Sequence, residues 1–304
     1  MRLIVGSDCE AVDIRIWIGY AVEHGLRELE LDSFSDEIIQ LPSNIYTCKT
    51  LEILKLKNCV RVDVPNSQVC FKSLKILNLQ LVYFKDDDSV RRLFSSCSNL
   101  EELVVKRYMD NVTNFTIEVP SLKRLSIHDC SDGDGRRGYV INTPSLNYLS
   151  IKGLNDFELS LENTPELKEA KIIDIADINT AKILLPLASS VKRLSLSLSP
   201  LQESVKYNEC VSTSQFQKPI NVPPCLLLYL QRFEWERYNG LREEERQVAL
   251  YILANAKHLK EANFWTRNSN SNENFEMLKE LARDPKASPS CRFLFDEKRK
   301  SSLR

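Results

Sequence analysis

The chain has 304 residues, with 41 basic and 42 acidic side chains and a formal net charge of −1. This balance excludes the positive field that drives non-specific nucleic-acid binding, so no nucleic-acid partner is expected. No run of 18 apolar residues exists, and the chain turns polar soon after Met1. We therefore expect no membrane span and no secretion signal, and we place the protein in the cytoplasm or nucleus.

Residues 1–25 predict a strand and then a helix. Leu3, Ile4 and Val5 form a short apolar run, and residues 11–23 can form a helix with one apolar face. Nothing before Met1 covers the strand, so we expect an exposed apolar edge, and with it poor solubility or self-association of the isolated chain. The apolar helix face contains Ile14, Trp17, Ile18 and Ala21.

Residues 26–200 repeat the pattern L-x-x-L-x-L eight times, with starts 21 to 26 residues apart. This spacing falls in the range of 20–29 residues that is typical of leucine-rich repeats. The second and third apolar residues of each copy are two apart, so in a strand both point into the core. The pattern predicts an α/β leucine-rich-repeat solenoid with a parallel sheet. The copies begin at Leu26, Leu51, Leu74, Leu100, Leu122, Leu146, Leu167 and Val191.

The segments between the repeat strands differ along the chain. Residues 86–94 begin with three aspartates and a serine, which predicts a capped helix. Later segments alternate apolar and polar residues, which predicts extended chain on the outer side of the solenoid. Cys59 and Cys130 occupy the N/C position of the repeat and are expected to turn the chain out of the strand. The alternating apolar residues are Phe115, Ile117, Val119, Tyr139, Ile141, Phe157, Leu159 and Leu161.

The last third of the chain changes pattern. Residues 201–222 are polar and are interpreted as a linker or long loop. Residues 223–296 predict a β-α-β-α-β segment that continues the solenoid sheet, and residues 297–304 form a basic tail. The strands of the β-α-β-α-β segment are expected at 230–235, 259–264 and 291–295, and its helices at 243–256 and 275–282.

Motifs for catalysis, cofactors and metals are missing from the sequence. It contains no glycine-rich phosphate loop and no nucleophile elbow. The nine cysteines form no C-x-x-C pair, and the three histidines lack zinc-site spacing. Residues 132–135 (Asp-Gly-Asp-Gly) lack the closing glutamate of a calcium loop and are interpreted as a surface turn. We therefore expect no enzymatic activity, no cofactor and no metal.

Repeat solenoids usually bind other macromolecules through their strands, so a protein partner is expected on the outward face of the sheet. Five lysines form a mildly basic stripe there, which suits an acidic segment of a partner. The alternative is that these lysines only keep the sheet soluble. The candidate binding residues are Lys55, Lys57, Asn78, Gln80, Lys106, Ser126, His128, Ser150, Lys152 and Lys171.

The C-terminal segment resembles the FBD domain of plant F-box/leucine-rich-repeat proteins. The similarity continues at the start of the repeats, at residues 17–22 and 26–29. In the FBD-like part the matching segments are Phe233-Glu234-Trp235, residues 240–246, 251–256, 259–260, 277–281 and 287–291.

This resemblance implies a protein-binding function. In the family, an N-terminal F-box docks onto an SCF ubiquitin ligase and the repeats select the protein to be ubiquitinated. The sequence before the first repeat is shorter than an F-box, so ligase subunits are not counted among the expected partners. The leading interpretation is a substrate-recognition module without its F-box. The alternative is a truncated or non-functional paralogue that retains only a remnant of the fold.

Overall fold

The computed structural model describes residues 1–7, 9–35, 37–66, 69–108, 112–129, 137–153, 157–175, 187, 190–198, 218–238, 243–266, 279, 281, 283 and 286–297. The chain divides into two compact units. Unit 1 contains Met1–Leu149 and Asp156–Pro165, and unit 2 contains Ser150–Asn155 and Glu166–Arg304.

The main sheet of unit 1 is parallel and is built from the repeat motifs. Its strands are β1 (Arg2–Val5), β2 (Glu28–Ser33), β4 (Ile53–Asn58), β6 (Ile76–Gln80), β8 (Glu102–Arg107) and β10 (Arg124–Asp129), hydrogen-bonded in this order. The register aligns equivalent repeat positions, so Leu29 pairs with Leu54 and Leu54 with Leu77. Strand β12 (Tyr148–Lys152) has its first two residues in unit 1 and the rest in unit 2.

The segments between these strands form helices and two small parallel sheets. The helices are α1 (Ala11–Glu23), a 3₁₀ turn (Ser43–Thr47) and α2 (Asp87–Ser95). One small sheet contains β3 (Ile39–Gln40), β5 (Val60–Val62) and β7 (Tyr83–Phe84); the other contains β9 (Asn114–Glu118), β11 (Arg137–Asn142) and β13 (Phe157–Asn163).

These segments confirm the predicted N-terminal strand and helix, the helix near residue 86 and the later extended chain. Asp86 caps α2, because its carboxylate accepts a hydrogen bond from the backbone N–H of Ser89 at 2.6 Å.

The core of unit 1 contains the predicted leucines. Leu54 is 1% exposed, and Leu77, Leu125 and Leu149 are 0% exposed. Their burial on successive parallel strands confirms the repeat register and the leucine-rich-repeat fold class. On the outer side, Phe115 and Ile117 of β9 are also fully buried, so both layers contribute to one apolar core.

Unit 2 has a parallel sheet in which the FBD-like strands follow the last repeat strands. Its order is β14 (Glu169–Ile175), β15 (Arg193–Leu198), β16 (Arg232–Tyr238), β17 (Glu261–Thr266) and β18 (Arg292–Glu297). Leu194 of β15 pairs directly with Phe233 of β16, so the C-terminal segment continues the repeat sheet as predicted. Two helices, α3 (Pro224–Leu228) and α4 (Glu243–Asn255), lie between these strands along the chain.

Several predictions fall outside the described residues. They include most of the linker at 201–222, most of the second C-terminal helix, the tail beyond residue 297, the turn at 132–135 and Cys130. Leu281 of the second helix is described and is 1% exposed. The proposed domain boundaries therefore remain predictions.

Residues in the left-handed backbone conformation, with a positive φ angle, recur where repeat strands end. Positive φ angles occur at Asn58, Leu81, Gly153, Asp174 and Arg237, each seven residues after the first apolar residue of its motif. The chain thus turns one residue before the N/C position of the repeat, which Cys59 occupies in the second copy. Asparagine and glycine adopt this conformation at little cost, whereas leucine and arginine do so rarely.

Candidate protein-binding face

The outward side chains of β2, β4, β6, β8 and β10 form what we call the strand face of unit 1. Seven of the ten predicted binding residues lie on it, in two rows that run across the strands. The middle row is Glu30, Lys55, Asn78, Val104 and Ser126, and the row beside it is Asp32, Lys57, Gln80, Lys106 and His128.

The half of this face on β2 and β4 is a set of ion pairs rather than a basic stripe. Lys55 lies 3.0 Å from Glu28, and Lys57 lies 2.8 Å from Glu30. The hydrogen bond from Lys57 is the main cause of a lowered pKa of Glu30, which is also 3.5 Å from Arg2. These lysines are therefore already occupied by carboxylates of the same chain.

The half on β6, β8 and β10 is different, because its predicted residues are mostly uncharged. Lys106 lies between Gln80 and His128 in the sheet register, and within the described part of the chain it has no ion pair. Asn78 and Ser126 flank it in the middle row, and all five side chains are partly exposed. Lys106 is thus the predicted lysine of unit 1 that remains available to an acidic partner group.

Unit 2 contains the other three predicted residues, Ser150, Lys152 and Lys171. Lys152 lies 3.5 Å from Asp174. Lys171 on β14 lies 2.6 Å from Glu236 on β16 and reaches it past β15, which carries the small side chain of Ser195 at the position paired with Lys171. Both lysines therefore bind carboxylates within unit 2.

A second ion pair in unit 2 also joins β14 and β16 across β15. Arg237 on β16 forms an ion pair with Asp174 on β14. The same guanidinium donates to Ser197 of β15 at 3.1 Å. Small hydroxyl residues on the central strand allow long charged side chains from both neighbours to meet above it.

Sequence reasoning missed a hydrogen-bond ladder between successive repeats. A serine, threonine or asparagine directly before the first apolar residue donates its side-chain hydrogen to a backbone carbonyl of the preceding repeat. Such residues at five repeat starts were visible in the sequence and could have predicted the ladder. The donors and acceptors are Thr50 to Leu26 (2.8 Å), Ser73 to Lys49 (2.6 Å), Asn99 to Lys72 (2.7 Å), Ser121 to Leu100 (2.8 Å) and Ser190 to Leu167 (3.3 Å).

A buried polar cluster in unit 1 was also missed. Arg107 is 2% and Asp129 1% exposed, at paired positions of β8 and β10. Arg107 donates to the hydroxyl of Tyr139 at 3.0 Å, and this hydroxyl donates to Asp129 at 2.5 Å. Arg107 also donates to the carbonyl of Val112 and lies 4.6 Å from the ring centre of Phe115. Burial is the main cause of a raised pKa of Tyr139.

The described part of the chain lacks both metal-binding clusters and membrane-spanning helices. No group of three or more histidine, cysteine, aspartate or glutamate side chains in this part of the chain could hold a metal ion. None of its helices combines the length and apolar character needed to cross a membrane.

Comparison with known proteins links this fold to one family. Residues 14–208 match "FBD-associated F-box protein At5g56370, LRR repeats", and residues 217–264 match the FBD family. F-box/FBD/LRR-repeat protein At3g52680 of Arabidopsis thaliana is 39% identical, over 93% of this chain and 74% of the relative. The chain belongs to the F-box/FBD/LRR-repeat family.

Two further Arabidopsis thaliana members of this family show the same extent of similarity. FBD-associated F-box protein At3g52670 is 41% identical, over 97% of this chain and 79% of the relative. F-box/FBD/LRR-repeat protein At4g26340 is 38% identical, over 97% of this chain and 82% of the relative. No solved structure matches the chain. The matched families and relatives are named for domains and repeats and include no enzyme family.

The FBD part of the family resemblance has a clear structural basis. Phe233 and Trp235 are both 0% exposed and pack edge-to-face, with ring centres 6.0 Å apart. Phe233 makes a second edge-to-face contact with Phe264 at 5.8 Å. Glu234 between them points outward and accepts a hydrogen bond from Ser195 at 3.3 Å. The aromatic residues thus build the core, while the glutamate ties the FBD strand to the last repeat strand.

Proposed function

We propose that this protein is a non-enzymatic binding module that recognises another protein through the strand face of unit 1. The observation that carries the proposal is Lys106, a cation without an ion pair in the described residues, on a face whose other two predicted lysines, Lys55 and Lys57, are internally paired. An ordered row of polar side chains around a free charge suits a partner that presents an acidic group.

The family relationship supports the kind of partner proposed. The relatives are named as F-box proteins with leucine-rich repeats and an FBD domain. We infer that the repeats of this chain play the target-selecting part that the resemblance implies for an SCF-type substrate receptor. The proposed site of action is the cytoplasm or nucleus, which a fluorescent fusion in plant cells would test.

The test compares proteins recovered by affinity purification from plant tissue with the wild-type chain and with two charge-reversal variants. Lys106→Glu changes the strand face. Lys49→Glu is the matched control, because Lys49 is exposed elsewhere in unit 1 and has no ion pair in the described chain. Lys57 and Lys152 are poor probes, because reversing them would place a new carboxylate beside Glu30 or Asp174.

A specific partner should bind the wild type and Lys49→Glu equally. Its affinity for Lys106→Glu should fall roughly tenfold, equivalent to about 1.4 kcal/mol, with an unchanged thermal midpoint. Equal binding of all three proteins would remove this face as the binding site. Co-purification of ligase subunits in the same samples would support the SCF-type role.

A further inference from the structure

Unit 1 contains a cavity of about 370 Å³ at the carboxyl ends of the small sheet β3-β5-β7. The residues that follow each strand line it: Leu41 and Pro42 after β3, Asp63 after β5, and Lys85 after β7. Because the strands are parallel, these segments meet at one edge of the sheet. None of the residues of the strand face lines the cavity, so it is a separate site. Its volume is within the range of small-molecule pockets, roughly 300–1,000 Å³.

The tyrosine in the cavity wall has an unsatisfied hydroxyl. Tyr46 belongs to the 3₁₀ turn and is 1% exposed, with its ring packed edge-to-face on Phe71 at 6.0 Å. Among the described residues, its hydroxyl oxygen has no hydrogen-bond partner. Buried hydroxyl groups are normally paired, since leaving one without a partner costs free energy. An unpaired hydroxyl beside a cavity indicates a place where a ligand atom completes the bonding.

The surroundings of this hydroxyl favour an acceptor over a donor as the missing partner. Burial and then the carboxylate of Asp63 raise the pKa of Tyr46, so the hydroxyl keeps its proton. This proton has no acceptor among the described residues. A group with a negatively charged oxygen would supply it.

The charges of the lining favour an anion as well. Asp63 lies 3.6 Å from Lys85, which offsets its negative charge. Arg15 of α1 also lines the cavity, is exposed, and has no ion pair in the described part of the chain. The two cations and one carboxylate leave one surplus positive charge. The amide of Gln40 and the hydroxyl of Ser43 add further donors.

We propose that this cavity binds a small organic anion, a carboxylate or a phosphate monoester. Its charged oxygens accept a hydrogen bond from Tyr46 and pair with Arg15. Its organic part lies against the apolar surface of Leu41, Pro42 and Pro65, which distinguishes it from a bare inorganic ion.

Isothermal titration calorimetry of the full chain tests the proposal with phenyl phosphate, benzoate and inorganic phosphate, each at millimolar concentration. Binding of phenyl phosphate or benzoate identifies the preferred anion, and tighter binding of either than of inorganic phosphate confirms the contribution of the organic part. Benzylamine, a cation of similar size, should not bind. Absence of heat with both organic anions, or equal binding of benzylamine, would overturn the proposal.

Variants identify the site of binding. Tyr46→Phe keeps the ring and removes only the hydroxyl, so it should weaken binding roughly tenfold or more. The ligand-free protein should keep or raise its thermal midpoint, because no bond of the hydroxyl is lost. Arg15→Gln should weaken binding similarly, and the exposed control Lys49→Gln should not. A lowered midpoint for Tyr46→Phe with unchanged binding would show that the hydroxyl serves the fold and not a ligand.

Discussion

Basic side chains on the strands of the two units differ in what they contact. In unit 2, Lys152, Lys171 and Arg237 all reach carboxylates, and two of these contacts extend past the serines of β15. In unit 1, Lys57 also reaches a carboxylate, whereas Lys106 at the same repeat position has no ion pair in the described chain. The same repeat position can therefore stabilise the fold or remain available to a partner. The side chains on adjacent strands determine which of these two roles a basic residue has.

The largest expected effect is at Arg107, the inward neighbour of Lys106. Arg107→Met removes the cation that is linked through Tyr139 to the buried carboxylate of Asp129. Loss of one member of a buried charged network costs about 3–5 kcal/mol. Chemical denaturation should show this loss, while the control Lys106→Met should change the free energy of unfolding by less than about 0.5 kcal/mol. Similar effects of the two variants would contradict the assignment of one residue to the core and the other to the surface.

The next largest effect concerns the buried leucines on the repeat strands of unit 1. Leu125→Ala should lower the free energy of unfolding by roughly 2–5 kcal/mol, because the side chain is 0% exposed and leaves a cavity. Ser126 is the outward neighbour on the same strand, so Ser126→Ala should change stability by less than about 0.5 kcal/mol. Thermal or urea unfolding of both variants checks the alternation along β10. A freely tolerated Leu125→Ala would mean that the register is wrong.

The sequence predicts those features that follow from local periodicity. The spacing of Leu54, Leu77 and Leu125 gave the strands and the core, because a two-residue alternation defines which side chains point inward. It did not reveal that Lys55 and Lys57 are paired, because ion pairing depends on residues about 27 positions away.

The cavity near Tyr46 was missed for a related reason. Its residues come from α1, the 3₁₀ turn and the ends of three short strands, which only the fold brings together. The short strands β3 and β7 contain two residues each, too few for a periodic pattern. Features of this kind depend on the distance between segments in space, which periodicity along the chain does not encode.

A smaller effect is expected from the ion pair in unit 2 that joins Lys171 and Glu236 across β15. Lys171 and Glu236 are only partly buried, with side chains 31% and 19% exposed. A double-mutant cycle of Lys171→Met and Glu236→Gln should give a coupling energy of about 0.2–1 kcal/mol, the usual range for exposed ion pairs. High salt should reduce the coupling. A coupling near zero at low salt would show that unit 2 does not use this pair for stability, and the contrast with Lys106 would weaken.

The smallest effect is the pH dependence that Glu30 adds to unit 1. Its pKa is lowered from the ordinary value of 4.5, mainly by the hydrogen bond from Lys57. Above pH 4.5 the carboxylate is charged in both folded and unfolded states, and its contribution to stability is fully present. As the pH falls below 4.5 through the lower folded pKa, the unfolded state takes up the proton first and this contribution is lost. Glu30→Gln should therefore flatten the decline in thermal midpoint over this acidic range. Glu102→Gln is the matched control, because Glu102 lies on the same face and has no ion pair in the described residues. An equally steep decline for Glu30→Gln and the wild type would show that the Lys57 pair does not stabilise the folded state.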